Sequence, residues 1–95
     1  MIYFIQAGEN GPIKIGWTKD ALSAEIRLKN LQVGNHENLE IMRVIGGRRS
    51  DEYWIQEMFK DLHINGEWYK PSDTLIKFVK TSNPIKSANW RGPIG

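Results

Sequence analysis

The chain has 95 residues, of which 40% are apolar and 11% aromatic, enough for one modest hydrophobic core. We therefore expect a single domain without a separate binding domain. Because cysteine is absent, disulfides and thiolate zinc sites are excluded, and a metal ion would need oxygen or histidine ligands. No segment approaches the roughly 18 apolar residues of a membrane span, and no signal-peptide pattern is evident, so we expect a cytoplasmic protein without membrane contact.

The formal net charge of +2 allows a nucleic-acid partner but is low for a strong electrostatic binder. The placement of the charges is more informative than their sum. Seven of the 13 lysines and arginines precede residue 50, whereas five of the 11 acidic residues lie between positions 51 and 67. A basic half that faces a group of carboxylates suits a site for phosphate and metal, although an ordinary solvated surface has the same pattern.

Two segments near the start of the chain, residues 2–6 and 13–17, are rich in β-branched and aromatic residues. The segment between them contains the glycines and proline typical of a turn, which predicts a β-hairpin. If the loop closes symmetrically, Tyr3 pairs with Gly16 and Ile5 pairs with Lys14. These four residues would then share one face of the sheet.

Apolar residues at helical spacing predict a helix that is capped by Thr18 or Asp20 and continues to about Gln32. We expect a left-handed stop at Gly34-Asn35 after this helix. A third strand is predicted over residues 39–45, where apolar and β-branched residues predominate.

Ser50 is predicted to cap a second helix, and a third short helix is predicted to begin at residues 71–73. The coarse order is therefore ββαβαα. Residues 81–95 show little periodicity and predict a flexible C-terminal tail after a domain spanning residues 1–80. The predicted buried stripe of the second helix consists of Ile55, Met58, Phe59 and Leu62.

One acidic residue, Glu52, lies on the core-facing side of the second predicted helix, three positions before Ile55 and seven before Phe59. A glutamate in a first turn interacts favourably with the helix dipole, by roughly 0.3–1 kcal/mol, and this explains a lone acid adequately. The functional alternative is a carboxylate that points into a cleft and holds a cation.

The run Ile2-Tyr3-Phe4-Ile5, followed by Lys14-Ile15-Gly16, resembles the paired motifs of the GIY-YIG nuclease superfamily. The resemblance continues in the same order through Arg27, Glu52 and Gly66-Glu67-Trp68-Tyr69. These are landmarks of the short bacterial and phage branch of that superfamily, and they span about residues 2 to 70.

The resemblance implies an α/β (α+β) domain in which helices flank a three-stranded antiparallel sheet. It implies an endonuclease that hydrolyses nucleic acid, with DNA favoured, by means of Mg²⁺ or Mn²⁺. By the same resemblance, Tyr3 would position or activate the attacking water, Arg27 would steady the phosphate, and Glu52 would be the carboxylate on the metal. Lys14 replaces the tyrosine of the second motif and would contact the phosphate or act as a base.

Several features leave a second function open. Lys14, Trp17 and Gln56 depart from the family pattern, which also suits a catalytically inactive nucleic-acid binder or a phage-encoded inhibitor of another nuclease. We favour the enzyme, and a homodimer or a protein partner remains open. Trp68 and Tyr69 are expected to be core aromatics, with stacking on an unpaired base as the alternative. The residues predicted to contact nucleic acid are Lys14, Trp17, Lys19, Arg27, Arg48 and Arg49.

Overall fold

The computed structural model describes residues 1–82, so nearly all of the predicted tail over residues 81–95 lies outside the described residues. The fold is α+β, as predicted. No helix within residues 1–82 is long and apolar enough to cross a membrane. The elements are β1 (Ile2–Ala7), β2 (Ile13–Trp17), α1 (Ala21–Val33), β3 (Leu39–Ile45), α2 (Arg49–Met58), a 3₁₀ turn (Lys60–Leu62), β4 (His63–Asn65), β5 (Trp68–Tyr69) and α3 (Asp73–Thr81).

The strands form one antiparallel sheet in the order β3-β1-β2-β5-β4. The three strands predicted from the sequence are all present and occupy neighbouring positions at one side of this sheet. However, the sheet has five strands instead of the expected three, because the hairpin β4–β5 pairs with the free edge of β2. Strands of three and two residues are too short to show a periodic pattern, which explains why they were not predicted.

The predicted register of the first hairpin is confirmed. Tyr3 lies opposite Gly16, and Ile5 lies opposite Lys14. The loop begins at Gly8, whose φ of 69° is in the left-handed region that glycine adopts without steric cost. The hairpin therefore follows from its strand pattern and its turn residues alone.

The two ends of α1 are formed by different means. At the start, the Asp20 carboxylate accepts a hydrogen bond of 2.7 Å from the backbone N–H of Ser23, which selects Asp20 over Thr18 as the cap. At the end, the predicted left-handed stop is wrong, because Gly34 has a φ of −105°. Instead, the side-chain oxygen of Gln32 accepts a hydrogen bond of 2.8 Å from the backbone N–H of Leu39 and fixes the turn into β3.

The start of α2 also differs from the prediction. Ser50 does not cap this helix, which begins at Arg49, two residues earlier than a cap at Ser50 predicts. The Asp51 carboxylate accepts a hydrogen bond of 2.8 Å from the backbone N–H of Arg48. A carboxylate in the first turn satisfies a backbone donor and complements the positive end of the helix dipole, so Asp51 takes the role that had been assigned to Ser50.

The inner face of α2 is narrower than predicted. Ile55 and Phe59 are buried, but Met58 is 46% exposed, so its assignment to the buried stripe is wrong. Ile55 and Phe59, which are four positions apart, cover the sheet by themselves. Met58 lies at the margin between α2 and α3. Helix α3 begins as predicted, since the Ser72 hydroxyl accepts a hydrogen bond of 3.2 Å from the backbone N–H of Leu75.

Helices cover both faces of the sheet, so that strand β1, which lies between β3 and β2, is buried on both sides. Tyr3 and Ile5 pack beneath α1, together with Ala24 of that helix. The alternate residues Ile2 and Phe4 face the opposite layer. The buried side chains of that second layer include Ile13, Ile15, Ile45, Ile55, Phe59, Tyr69, Leu75 and Val79.

One contact in the first layer has no spare room. The Tyr3 ring lies directly across the backbone of Gly16, and a Cβ atom built on Gly16 would be 2.2 Å from Tyr3 Cζ and 2.3 Å from its hydroxyl. Because Tyr3 is almost completely buried, its ring cannot turn aside. Glycine is therefore required at position 16 by the close approach of the tyrosine ring.

We predict that Gly16→Ala destabilises the protein by roughly 1–3 kcal/mol, because overpacking a filled core forces side chains from their rotamers. Urea unfolding followed by tryptophan fluorescence would measure this loss. Gly34→Ala is the matched control: no atom lies within 4 Å of its added Cβ, and its φ suits alanine, so we expect no loss of stability. Equal stability of the two variants would contradict the packing argument.

Candidate functional site

The site lies at the point along β2 where the hydrogen-bonding partner of its edge changes from the β4–β5 hairpin to helix α2. The backbone N–H of Ile15 donates a hydrogen bond of 2.9 Å to the carbonyl of Glu67, next to β5. The carbonyl of Ile15 instead accepts a hydrogen bond of 3.0 Å from the side-chain amide of Gln56 on α2. Past the first residue of β5, the edge of β2 is thus covered by α2. The same helix carries Glu52, one turn before Gln56, to this place.

Two carboxyl groups meet at this edge. Glu67 Oε1 is 2.8 Å from Lys14 Nζ, and the Gln56 amide donates a hydrogen bond of 3.3 Å to Glu52 Oε2. Partial burial, a hydrogen bond with the Glu67 carboxyl group and the charge of Glu67 together raise the pKa of Glu52 to about 7. The nearby charges of Arg49 and Lys14 only partly oppose this increase.

Tyr3 belongs to the same group of residues. Burial, with smaller contributions from the charges of Glu67 and Glu52, raises the pKa of the Tyr3 phenol to about 12, although the positive charge of Arg27 opposes it. The phenol is therefore neutral at physiological pH. Arg27 is exposed on α1, close enough for its charge to act on the phenol. Tyr3, Lys14, Arg27 and Glu52 thus lie close enough for their charges to act within one group, Arg27 and Glu52 on the Tyr3 phenol and Lys14 on Glu52.

Cationic residues border this place at the start of α2. The Trp17 indole N–H donates a hydrogen bond of 3.2 Å to the carbonyl of Gly47, and the Arg49 guanidinium lies over the indole, 4.7 Å from the ring centroid. Arg48 is exposed on the residue before the helix. Lys19 is exposed between β2 and α1, two residues after Trp17. Of the residues predicted to contact nucleic acid, Trp17 and Arg49 thus form a stacked pair, and Arg48 and Lys19 are exposed cations. Lys14 and Arg27 are the other two.

Sequence reasoning assigned no role to Glu67, the second carboxylate of the site. Its position beside Lys14 depends on the pairing of β5 with β2, in which Lys14 lies opposite Trp68. A signal was present, since a glycine-first loop such as Gly66-Glu67, with a Gly66 φ of 53°, is typical of a two-residue hairpin turn. Tyr69 is buried and Trp68 half-buried within β5, which favours their structural role.

The donor atoms at the site restrict the kind of metal that it could hold. Within residues 1–82, no group of three or more histidine, aspartate or glutamate side chains is arranged for a metal ion. The two neighbouring carboxyl groups, those of Glu52 and Glu67, offer oxygen ligands only. They fit Mg²⁺ or Mn²⁺, since Mg²⁺ is commonly bound by one or two carboxylates and several waters.

Comparisons of the chain with protein-family models, with curated proteins and with solved structures found no significant match. The functional interpretation therefore depends on the geometry of this site and on the motifs that resemble the GIY-YIG pattern.

The raised pKa of Glu52 predicts a specific pH dependence of stability in the absence of metal. Between about pH 4.5 and 7 the folded chain binds more protons than the unfolded chain, so the free energy of unfolding falls as pH rises through this window. Glu52→Gln should remove this fall and raise the melting temperature above that of the wild type at pH 8. Thermal unfolding from pH 5 to 8 tests both statements.

Glu57→Gln, an equal change at an exposed position of α2, is the control and should keep the pH dependence of the wild type. An identical slope in the wild type and Glu52→Gln would show that the Glu52 carboxyl group is not destabilised by its surroundings.

Proposed function

We propose that this protein is a divalent-metal-dependent endonuclease of the GIY-YIG type that hydrolyses phosphodiester bonds in nucleic acid, with DNA as the favoured substrate. One observation carries the proposal. Tyr3, Arg27 and Glu52, which the motif resemblance singles out, come from β1, α1 and α2, and the charges of Arg27 and Glu52 both act on the Tyr3 phenol. Arg27 is exposed and Glu52 only half-buried, so core packing does not account for the position of these two charges near the phenol.

The proposed fold relationship rests on the sheet segment β3-β1-β2 with α1 on one face and α2 on the other. In this interpretation the hairpin β4–β5 extends a GIY-YIG-like sheet of three strands. The hairpin also supplies Glu67, which gives the site a second carboxylate beside Glu52.

Glu52 and Glu67 would hold Mg²⁺ or Mn²⁺ through their carboxylate oxygens. A bound divalent ion would supply positive charge to the phosphate and favour ionisation of water at neutral pH. The half-buried position of Glu52 suits this task, because a carboxylate with few waters and a carboxylate neighbour is relieved by a cation.

The side chains around the carboxylates have distinct proposed roles. Arg27 presents a forked pair of N–H donors to the phosphate oxygens, a geometry that lysine cannot provide. The neutral Tyr3 phenol orients the attacking water by a hydrogen bond and is too weakly acidic to act as the base. Lys14 is held by Glu67 at 2.8 Å, so it contacts a phosphate only if that ion pair opens or is shared.

A catalytically inactive binder of nucleic acid is the second candidate, and two contacts favour it. The Lys14–Glu67 ion pair already satisfies one carboxylate, and the Gln56 amide occupies one oxygen of Glu52. Such a protein would bind nucleic acid through the cations near Trp17. Its affinity would not change on addition of metal or on replacement of Glu52.

We predict that the protein cleaves DNA in the presence of Mg²⁺ or Mn²⁺, and that Glu52→Gln and Arg27→Ala each reduce cleavage by about 100-fold or more. Loss of one preorganised electrostatic group commonly has an effect of this size. Gel analysis of duplex, branched and single-stranded DNA and RNA measures the activity. Calorimetric titration with Mn²⁺ in the presence of a DNA duplex measures whether metal binding also depends on Glu52.

The matched controls are Glu57→Gln on α2 and Lys29→Ala on α1, both exposed and of the same charge type as the tested residues. They should retain wild-type cleavage. A preparation that leaves every substrate intact and binds DNA equally with and without Mg²⁺ would overturn the endonuclease proposal in favour of the binder.

Tyr3→Phe separates the two tasks of this residue. The phenylalanine ring keeps the packing against Gly16, so the melting temperature should change little. Without the hydroxyl, kcat should fall by about 10- to 100-fold while KM changes little, because the group acts on the water and not on binding. Steady-state cleavage kinetics test this, and a higher KM at unchanged kcat would assign Tyr3 to substrate binding instead.

A further inference from the structure

The outer side of α2 carries an aromatic residue at the border of the site. In a helix, residues three and four positions apart are neighbours, so Tyr53 lies beside Arg49 in one direction and beside Gln56 in the other. Gln56 donates a hydrogen bond to Glu52, and the charge of Arg49 acts on Glu52. Tyr53 is thus one side chain away from the carboxylate of the candidate site.

Packing in the core does not account for the Tyr53 ring, because more than half of this side chain is exposed. Tyr53 is 58% exposed, and its only aromatic neighbour within residues 1–82 is Trp54, in an edge-to-face contact with 5.9 Å between centroids. Trp54 is similarly exposed, at 54%, but points about 100° further round the helix, away from Arg49 and Gln56. Only one of the two exposed aromatic side chains therefore borders the site.

The charges on the side of Tyr53 that faces the site identify the kind of partner that suits it. Arg48 and Arg49 are both exposed at the start of the same helix, and the Arg49 guanidinium lies over the Trp17 ring. On the far side of Tyr53 the neighbour four positions on is Glu57, an exposed acid, so the cations lie only on the side towards the site. An aromatic face next to guanidinium groups binds nucleic acid well, because the ring stacks on a base while the cations contact the backbone. A duplex offers its bases only as stacked pairs, whereas an unpaired nucleotide offers a free face.

We infer that Tyr53 and Arg49 form a stacking subsite for an unpaired base next to the phosphate that Arg27 would bind. This inference rests on the proposed function and specifies its substrate class: nucleic acid that is single-stranded, or that carries an unpaired segment at a flap, branch or overhang. Tyr53 supplies the stacking face and Arg49 a contact to the neighbouring phosphate. Specificity then comes from the shape of the substrate and not from base sequence.

The test measures binding by fluorescence anisotropy in the Glu52→Gln background with Mg²⁺, so that no substrate is cut. Three DNA probes are compared: a blunt duplex, the same duplex with a single-stranded overhang, and that overhang with abasic nucleotides. We expect Tyr53→Ala to weaken binding of the overhang probe by about 5- to 100-fold, the effect of losing one stacked base. Binding of the blunt and abasic probes should change less than about twofold.

Trp54→Ala is the matched control, because it removes an equally exposed aromatic side chain from the same helix and should change binding of each probe less than about twofold. Tyr53→Phe should restore the affinity of the wild type, because it keeps the ring. Equal losses in Tyr53→Ala and Trp54→Ala, or an equal loss on the blunt duplex, would overturn the inference.

Cleavage assays separate this inference from the proposed function. If the wild type cleaves DNA but Tyr53→Ala does not alter its preference for unpaired substrates, the subsite is refuted and the endonuclease proposal stands. If the wild type cleaves nothing while the overhang preference depends on Tyr53, the subsite stands and the protein is a binder of unpaired nucleic acid.

Discussion

The close contact between the Tyr3 ring and the backbone of Gly16 is the constraint on which the rest of the structure depends. It joins the two strands of the first hairpin, fills the layer beneath α1 and brings the phenol to the candidate site. Because β1 is buried on both faces, the residues flanking Tyr3 cannot yield without loss of core packing. The same side chain therefore serves both stability and the proposed chemistry, and only removal of its hydroxyl separates the two.

The electrostatic arrangement of the site carries a cost in stability when Glu52 is ionised. Two carboxyl groups share a half-buried position, so the pKa of Glu52 is raised even though Lys14 and Arg49 lie nearby. A group with a raised pKa makes the folded state less stable when it ionises, and a bound cation would reverse this effect. The ion pair between Lys14 and Glu67 does not need Glu52 beside it, so a structural role of this pair does not explain the second carboxylate.

The geometry of the β2 edge explains why the site is where it is. The hairpin β4–β5 covers only part of this edge, and the Gln56 amide on α2 binds the next carbonyl along it. The start of β5 and the first turns of α2 therefore meet at one point, with Glu67 on one side and Glu52 on the other. The outer side of α2 then forms the border at which Tyr53 and Arg49 lie, so carboxylates and stacking surface are neighbours.

The sequence by itself determined the elements whose patterns are local: the first hairpin and its register, the first helix with its cap at Thr18 or Asp20, the third strand and a half-buried Glu52. Tertiary structure alone decided the short hairpin β4–β5, and with it the position of Glu67 beside Lys14. It also decided that the side chain of Gln32, through a hydrogen bond to the backbone of Leu39, fixes the turn after α1. The physical reason is length, since periodic patterns need several residues, whereas two-residue strands form only when a distant edge accepts them.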